Sequence, residues 1–146
     1  MRSIILICLF VFNFSFGQSI EKKGITQSEL ENAKVLYVKM IESADYKKKD
    51  ELNETLWPIL REATGYKDFL KQKPPSEESI RDWIKNNVAR EKVEKALELF
   101  NDVMKLEAKI MFDNKDVYEL VRRATREQVK EILKPLFEKE KAKYGF

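Results

Sequence analysis

The carboxylate best placed to do chemistry is Glu107. It lies inside an apolar stripe, with Val103, Met104, Ile110 and Met111 one turn before and after it. Burial disfavours the charged form of a carboxylate unless a cation pairs with it, and an acid kept neutral in this way is what general acid catalysis uses. The competing reading is structural: the helix face is only partly covered, and Glu107 points to water or pairs with a lysine. Lys34, on the edge of the first helix's apolar stripe, is one candidate partner. The structural reading is the expected one.

Arg122, Arg123 and Arg126, followed by Lys130 and Lys134, form the densest positive patch. Guanidinium groups so placed could hold a carboxylate, a phosphate or an acidic partner through forked hydrogen bonds. Glu119, Glu127 and Glu131 are interspersed, so pairing along a solvated helix face explains most of the patch. Trp57 and Trp83 are the only tryptophans, and Trp57 falls off the main apolar face expected for its helix. Trp83 is expected in the core, whereas Trp57 is left as a candidate for a ligand pocket or a protein interface, where tryptophan is enriched. The binding candidates are therefore Trp57, Glu107, Arg122, Arg123 and Arg126.

Other chemistries lack their parts. There is no histidine, and the single cysteine, Cys8, sits in an N-terminal apolar run. Beyond that run the chain can form no disulfide, thiol nucleophile, Cys/His zinc site or Ser-His-Asp triad. Asp113-Asn114-Lys115-Asp116 resembles a calcium loop only faintly, since the glycine and the terminal bidentate glutamate are missing. No glycine-rich loop is present to cradle phosphate. Two carboxylates a few ångströms apart would suffice for glycoside hydrolysis, but among twenty-five acids the sequence selects no pair. Lys47-Lys48-Lys49 followed by Asp50-Glu51 reads as an exposed turn, and Asn53-Glu54-Thr55 is a glycosylation sequon. No catalytic residue, metal or cofactor is expected.

The N-terminus has the layout of a secretory signal peptide. Met1-Arg2 is a short positive start, Ile4 to Phe12 is apolar, and Ser15-Phe16-Gly17 places small residues before a cut at Gln18. As a helix, Ile4 to Phe16 would span about 20 Å, short of the roughly 30 Å hydrocarbon core. The expectation is a leader over residues 1–17, and export to the periplasm or medium of a single domain over 18–146 with no transmembrane segment. The formal charge of +3 falls to +2 when Arg2 is lost, because all twenty-five acids lie beyond the leader. So even a balance gives no reason to expect nucleic acid or an anionic membrane as the main partner.

The elements that must position these residues read as helices. Lys, Glu, Leu and Ala dominate and Gly and Pro are scarce, a composition of helix formers. Thr26-Gln27-Ser28-Glu29 is a capping box, followed by Leu30, Ala33, Tyr37, Met40, Ile41 and Ala44 at helical spacing, with Leu36 and Val38 widening the stripe. A second helix carries Leu52, Leu56, Ile59, Leu60 and Ala63, is kinked or restarted at Pro58, and stops at Gly65. A short turn around Phe69 and Leu70 closes at Pro74-Pro75. Ser76 then caps a helix bearing Ile80, Trp83, Ile84 and Val88.

The longest pattern is Val93, Ala96, Leu97, Phe100, Val103, Met104, Ile110 and Met111. Its stripe is rotated by roughly half a turn from that of Ile80 and Trp83, so a break is expected near Asn86-Asn87. Val117, Leu120, Val121 and Ala124 share one face, and Val129, Ile132, Leu133, Leu136 and Phe137 another. Thr125-Arg126-Glu127-Gln128 stands between them as a second capping box, and Pro135 is expected to bend the last helix. A shift of sixty-three residues aligns several positions, among them Ala33 with Ala96, but that spacing is nine heptads and brings any amphipathic helices into phase.

The fold expected is all-α, a compact bundle of about six or seven helices. The function expected is that of a non-catalytic exported module that binds another protein. One alternative is a carrier enclosing a lipid or other apolar ligand with Met40, Phe100, Met104, Met111 and Phe112. Another is a carboxylate-dependent hydrolase acting on envelope polysaccharide.

Overall fold

Thr26 and Glu29 start the first helix as their spacing requires. The Thr26 hydroxyl accepts from the Glu29 backbone N–H at 3.2 Å, and the Glu29 carboxylate accepts from the Thr26 N–H at 2.8 Å. The computed structural model describes residues 23–69 and 76–144. The leader expected at 1–17, and Leu70 and Pro74-Pro75, lie outside the described residues. Among the described residues there are seven helices and no strand: α1 Gln27–Glu42, α2 Ala44–Glu62, α3 Tyr66–Phe69, α4 Glu77–Asn87, α5 Arg90–Asp113, α6 Lys115–Arg123 and α7 Arg126–Tyr144. The described residues are all-helical in class, in keeping with the composition.

These helices sort into two units. The first comprises the described residues up to Tyr46 together with those from Lys109 onward, and the second is Lys47–Ala108. The unit boundaries fall inside α2 and α5, each continuous across them.

In the first unit α1 packs against α7 and α6. Leu30, Ala33, Tyr37, Met40 and Ile41 of α1 join Ile110, Val117, Val121, Ala124, Ile132, Leu133 and Leu136 in one apolar cluster. Ala44, expected on the α1 stripe, instead opens α2 and is exposed. The cause is Ser43: its hydroxyl donates to the Met40 carbonyl at 2.7 Å and accepts from the Tyr46 N–H at 3.2 Å, ending one helix and starting the next. The second capping box forms between α6 and α7, with Gln128 N–H donating to the Thr125 hydroxyl at 3.3 Å and Thr125 N–H donating to Gln128 Oε1 at 3.0 Å. Phe137, expected in the core, is 38% exposed, and α7 continues through Pro135.

The second unit buries Leu56, Trp57 and Leu60 of α2, Ile80 and Ile84 of α4, Val88 after it, and Ala96, Leu99, Phe100, Val103 and Met104 of α5. The break between α4 and α5 falls at Val88-Ala89, next to the expected position. Gly65, with φ +72°, takes the left-handed conformation that suits a helix stop. Helix α2 runs through the exposed Pro58 with no restart.

Lys47-Lys48-Lys49 is not a turn but part of the helix, and Lys49 is buried. The buried face is Lys49, Asn53, Leu56, Trp57 and Leu60, whereas Leu52, Ile59 and Ala63 are half-buried. At 100° per residue the true face is rotated by about 60° from the apolar one, because two of its positions are polar. The sixty-three-residue shift also finds no matching geometry where α1 breaks at Ser43, since the corresponding Leu106 lies within the unbroken α5.

Candidate functional site

Glu107 meets its cation inside the second unit. Lys49 Nζ donates to Glu107 Oε2 at 2.6 Å, and the two side chains are 4% and 14% exposed. The pairing follows from the rotated α2 face. Lys49 lies seven and eleven residues before Leu56 and Leu60, so helical periodicity carries its stem inward alongside them. The partner is therefore Lys49 and not Lys34, which binds Glu31 at 3.0 Å and Glu131 at 3.4 Å, both in the first unit. The bond to Glu31, then that to Glu131, raises the affinity of the Lys34 amine for its proton.

A pair this enclosed is held by desolvation as much as by attraction. Leaving either charge alone in the interior costs about 3–5 kcal/mol, which is why such pairs are rarely broken singly. Asn53 stands one turn further along the same face. It is 8% exposed, and its Oδ1 is buried with no hydrogen-bond partner among the described residues. Chemically, the site presents an ammonium locked to a carboxylate, with an amide acceptor one helical turn away.

Trp57, left open as a pocket or interface candidate, is buried inside, and Trp83, expected in the core, is half-buried. The short α3 brings Tyr66 edge-on to Trp57 at 6.0 Å between centroids, and Phe69 stacks on Trp83 at 4.5 Å and 19°. The Arg61 guanidinium lies 5.9 Å from the Trp57 ring centroid. Trp57 is thus a core anchor between α2 and α3. The sequence hint was its spacing of eight residues from Lys49, but that hint works only once Lys49 is known to be buried.

The three arginines do not act together. Arg123 binds Glu29 at 2.6 Å, tying α6 to the first turn of α1. The Thr26 backbone N–H, and then Arg123, hold the Glu29 carboxyl below its ordinary range. Arg122 and Arg126 are exposed. Gln128, missed as a functional residue by the sequence reading, fastens the chain ahead of α1: its Oε1 accepts from Ile25 N–H at 3.0 Å and its Nε2 donates to the Ile25 carbonyl at 2.7 Å.

The residues expected to line an apolar cavity are split. Phe100 and Met104 are buried in the second unit. Met40 is buried in the first, where Met111 is half-buried and Phe112 is 80% exposed. Among the described residues no helix is long and apolar enough to cross a membrane, and no group of three or more acids is placed to hold a metal ion. In comparisons with known proteins, the chain matches no family model, no curated protein and no solved structure.

Proposed function

We propose that the protein is an exported, secreted or periplasmic, non-catalytic helical module whose work is to bind another protein. The observation that carries the binding reading is Phe112. It is 80% exposed at the C-terminal end of α5, two residues from the fully buried Ile110. Val35, on α1 of the same unit, is 54% exposed. Covering a phenylalanine contributes roughly 1.5–3 kcal/mol, and aromatic side chains are enriched at the centres of protein interfaces. The non-catalytic half of the reading is supported by Glu107, whose carboxylate is engaged by Lys49 rather than left to protonate a substrate.

The test is site-specific photocrosslinking. A benzophenone side chain at Phe112, in protein expressed in its own host, is expected to give one discrete crosslinked product in the exported fraction. The same group at Lys105, on the exposed side of α5 in the other unit, should give none. No product from either position would contradict the reading.

A further inference from the structure

Asn53-Glu54-Thr55 is a motif that the binding reading leaves unused. In a glycosylation sequon the asparagine amide nitrogen is the acceptor, and the product is a bulky, hydrated surface group. This sequon lies inside α2, with Glu54 and Thr55 exposed but Asn53 only 8% exposed. Lys49, Asn53, Leu56, Trp57 and Leu60 fall within about 100° of arc round the helix, and Asn53 stands near the middle of it. Its Oδ1 is buried. The Thr55 hydroxyl donates to the Glu51 carbonyl at 3.3 Å, which ties it to the helical backbone.

The acceptor is therefore closed in the folded chain. Bringing Asn53 out requires α2 to turn away from α5, which breaks the Lys49–Glu107 bond and uncovers Leu56, Trp57 and Leu60. That is more than fraying of a helix end, because it undoes the core of the Lys47–Ala108 unit. The way back is closed as well. Even one N-acetylhexosamine has more non-hydrogen atoms than a tryptophan side chain, and a close-packed interior has no room for it. Its hydroxyls would also be taken out of water on a face that is mostly hydrocarbon.

We propose that Asn53 is a glycosylation site that depends on the folding state: it accepts an oligosaccharide only while Lys47–Ala108 is unfolded, and the glycan then keeps that unit from closing. In the transfer, Asn53 Nδ2 bonds to the anomeric carbon of a lipid-linked oligosaccharide. The bond from that carbon to the lipid pyrophosphate breaks, the pyrophosphate leaves with the lipid, and one Nδ2 proton passes to a base of the transferase. A modification made only on the unfolded chain withdraws that chain from the folding equilibrium, so chains slow to fold are marked and held open. Export, as proposed above, is what brings the chain to such a transferase. The test uses purified components, so its outcome is independent of export and of the partner assigned to Phe112.

The test is transfer in vitro from a lipid-linked oligosaccharide by a purified oligosaccharyltransferase, read as a mass shift placed by peptide mapping. The folded chain, carrying an Asn-Ala-Thr tag after Phe146, is expected to be modified at the tag roughly a hundredfold faster than at Asn53. The L60D/F100D variant puts two charges into the core of the unit and leaves the sequon intact. That variant, shown by circular dichroism to be unfolded, and the peptide 47–61 should both be modified at Asn53 about as fast as at the tag. A second arm attaches the sugar chemically: C8S/N53C is labelled in urea with an iodoacetamide derivative of N-acetylglucosamine, and the urea is then removed. The unlabelled chain should regain amide protection at Leu56, Trp57 and Leu60, and the labelled chain should not. Transfer to Asn53 of the folded chain at the rate of the tag overturns the proposal, as does no transfer to Asn53 of either L60D/F100D or the peptide. A labelled C8S/N53C chain as protected as the unlabelled one overturns it too.

Discussion

The two units place their polar groups differently. In the unit formed by the two ends of the described chain, the clustered core is hydrocarbon and aromatic throughout, apart from tyrosine hydroxyls. Its charges and amides work at helix ends instead: Thr26 with Glu29, Arg123 with Glu29, and Gln128 with Ile25 and Thr125. In Lys47–Ala108 the interior itself is polar at three points: the Lys49–Glu107 pair and Asn53. Lys49 and Asn53 are the two buried polar or charged residues among those described, and both belong to this unit. Hydrophobic burial favours many packings of similar energy, whereas a buried charge tolerates only the arrangement that supplies its partner. The contrast suggests that the second unit trades stability for one specific alignment of α2 and α5.

The sharpest way to break that contrast is to strip one charge from the interior. Lys49→Met or Glu107→Leu should each lower stability by about 3–5 kcal/mol, read as a fall in the urea midpoint, because each takes from a buried charge the opposite charge it is bonded to. The corresponding cut in the first unit is Gln128→Leu. Losing the latch on Ile25 and the cap on Thr125 should cost about 1–3 kcal/mol, and amide hydrogen exchange should show faster exchange confined to Ile25 and Thr125. A change with the opposite sign comes next. Asn53→Leu removes an acceptor that has no partner and should raise the unfolding midpoint, by about 1 kcal/mol in stability.

The smallest effect is a pH effect in the first unit. The Glu29 carboxyl is held below its ordinary range by the Thr26 N–H and by Arg123. Its contribution is therefore complete above the unfolded carboxyl value of about 4.3 and is lost as pH falls through the lower folded value. A Glu29→Gln variant should lose stability at pH 7 and match the parent at acid pH. A difference that stayed constant with pH would mean that the carboxylate charge is not involved.

Legibility in the sequence follows the same division. Both capping boxes were readable because their partners lie three residues apart and their chemistry is local. The α4–α5 break was readable because two stripes half a turn apart cannot share one straight helix. The face of α2 was not readable from hydropathy, since two of its buried positions are Lys49 and Asn53. Three consecutive lysines suggest water, and the acid that draws Lys49 inward lies fifty-eight residues away. With α2 placed on its apolar face, Trp57 falls outside the core and Lys49 reads as exposed, so it is not among the candidate partners of Glu107.

A double-mutant cycle on Lys49 and Glu107, by urea unfolding of the parent, K49M, E107L and K49M/E107L, bears most directly on the buried pair. The double variant is expected to recover most of the loss or to exceed the parent, with a coupling of about 3 kcal/mol between the two sites. Single losses that add to within about 0.5 kcal/mol, or an E107L as stable as the parent, would mean that Lys49 and Glu107 are not partners in the interior.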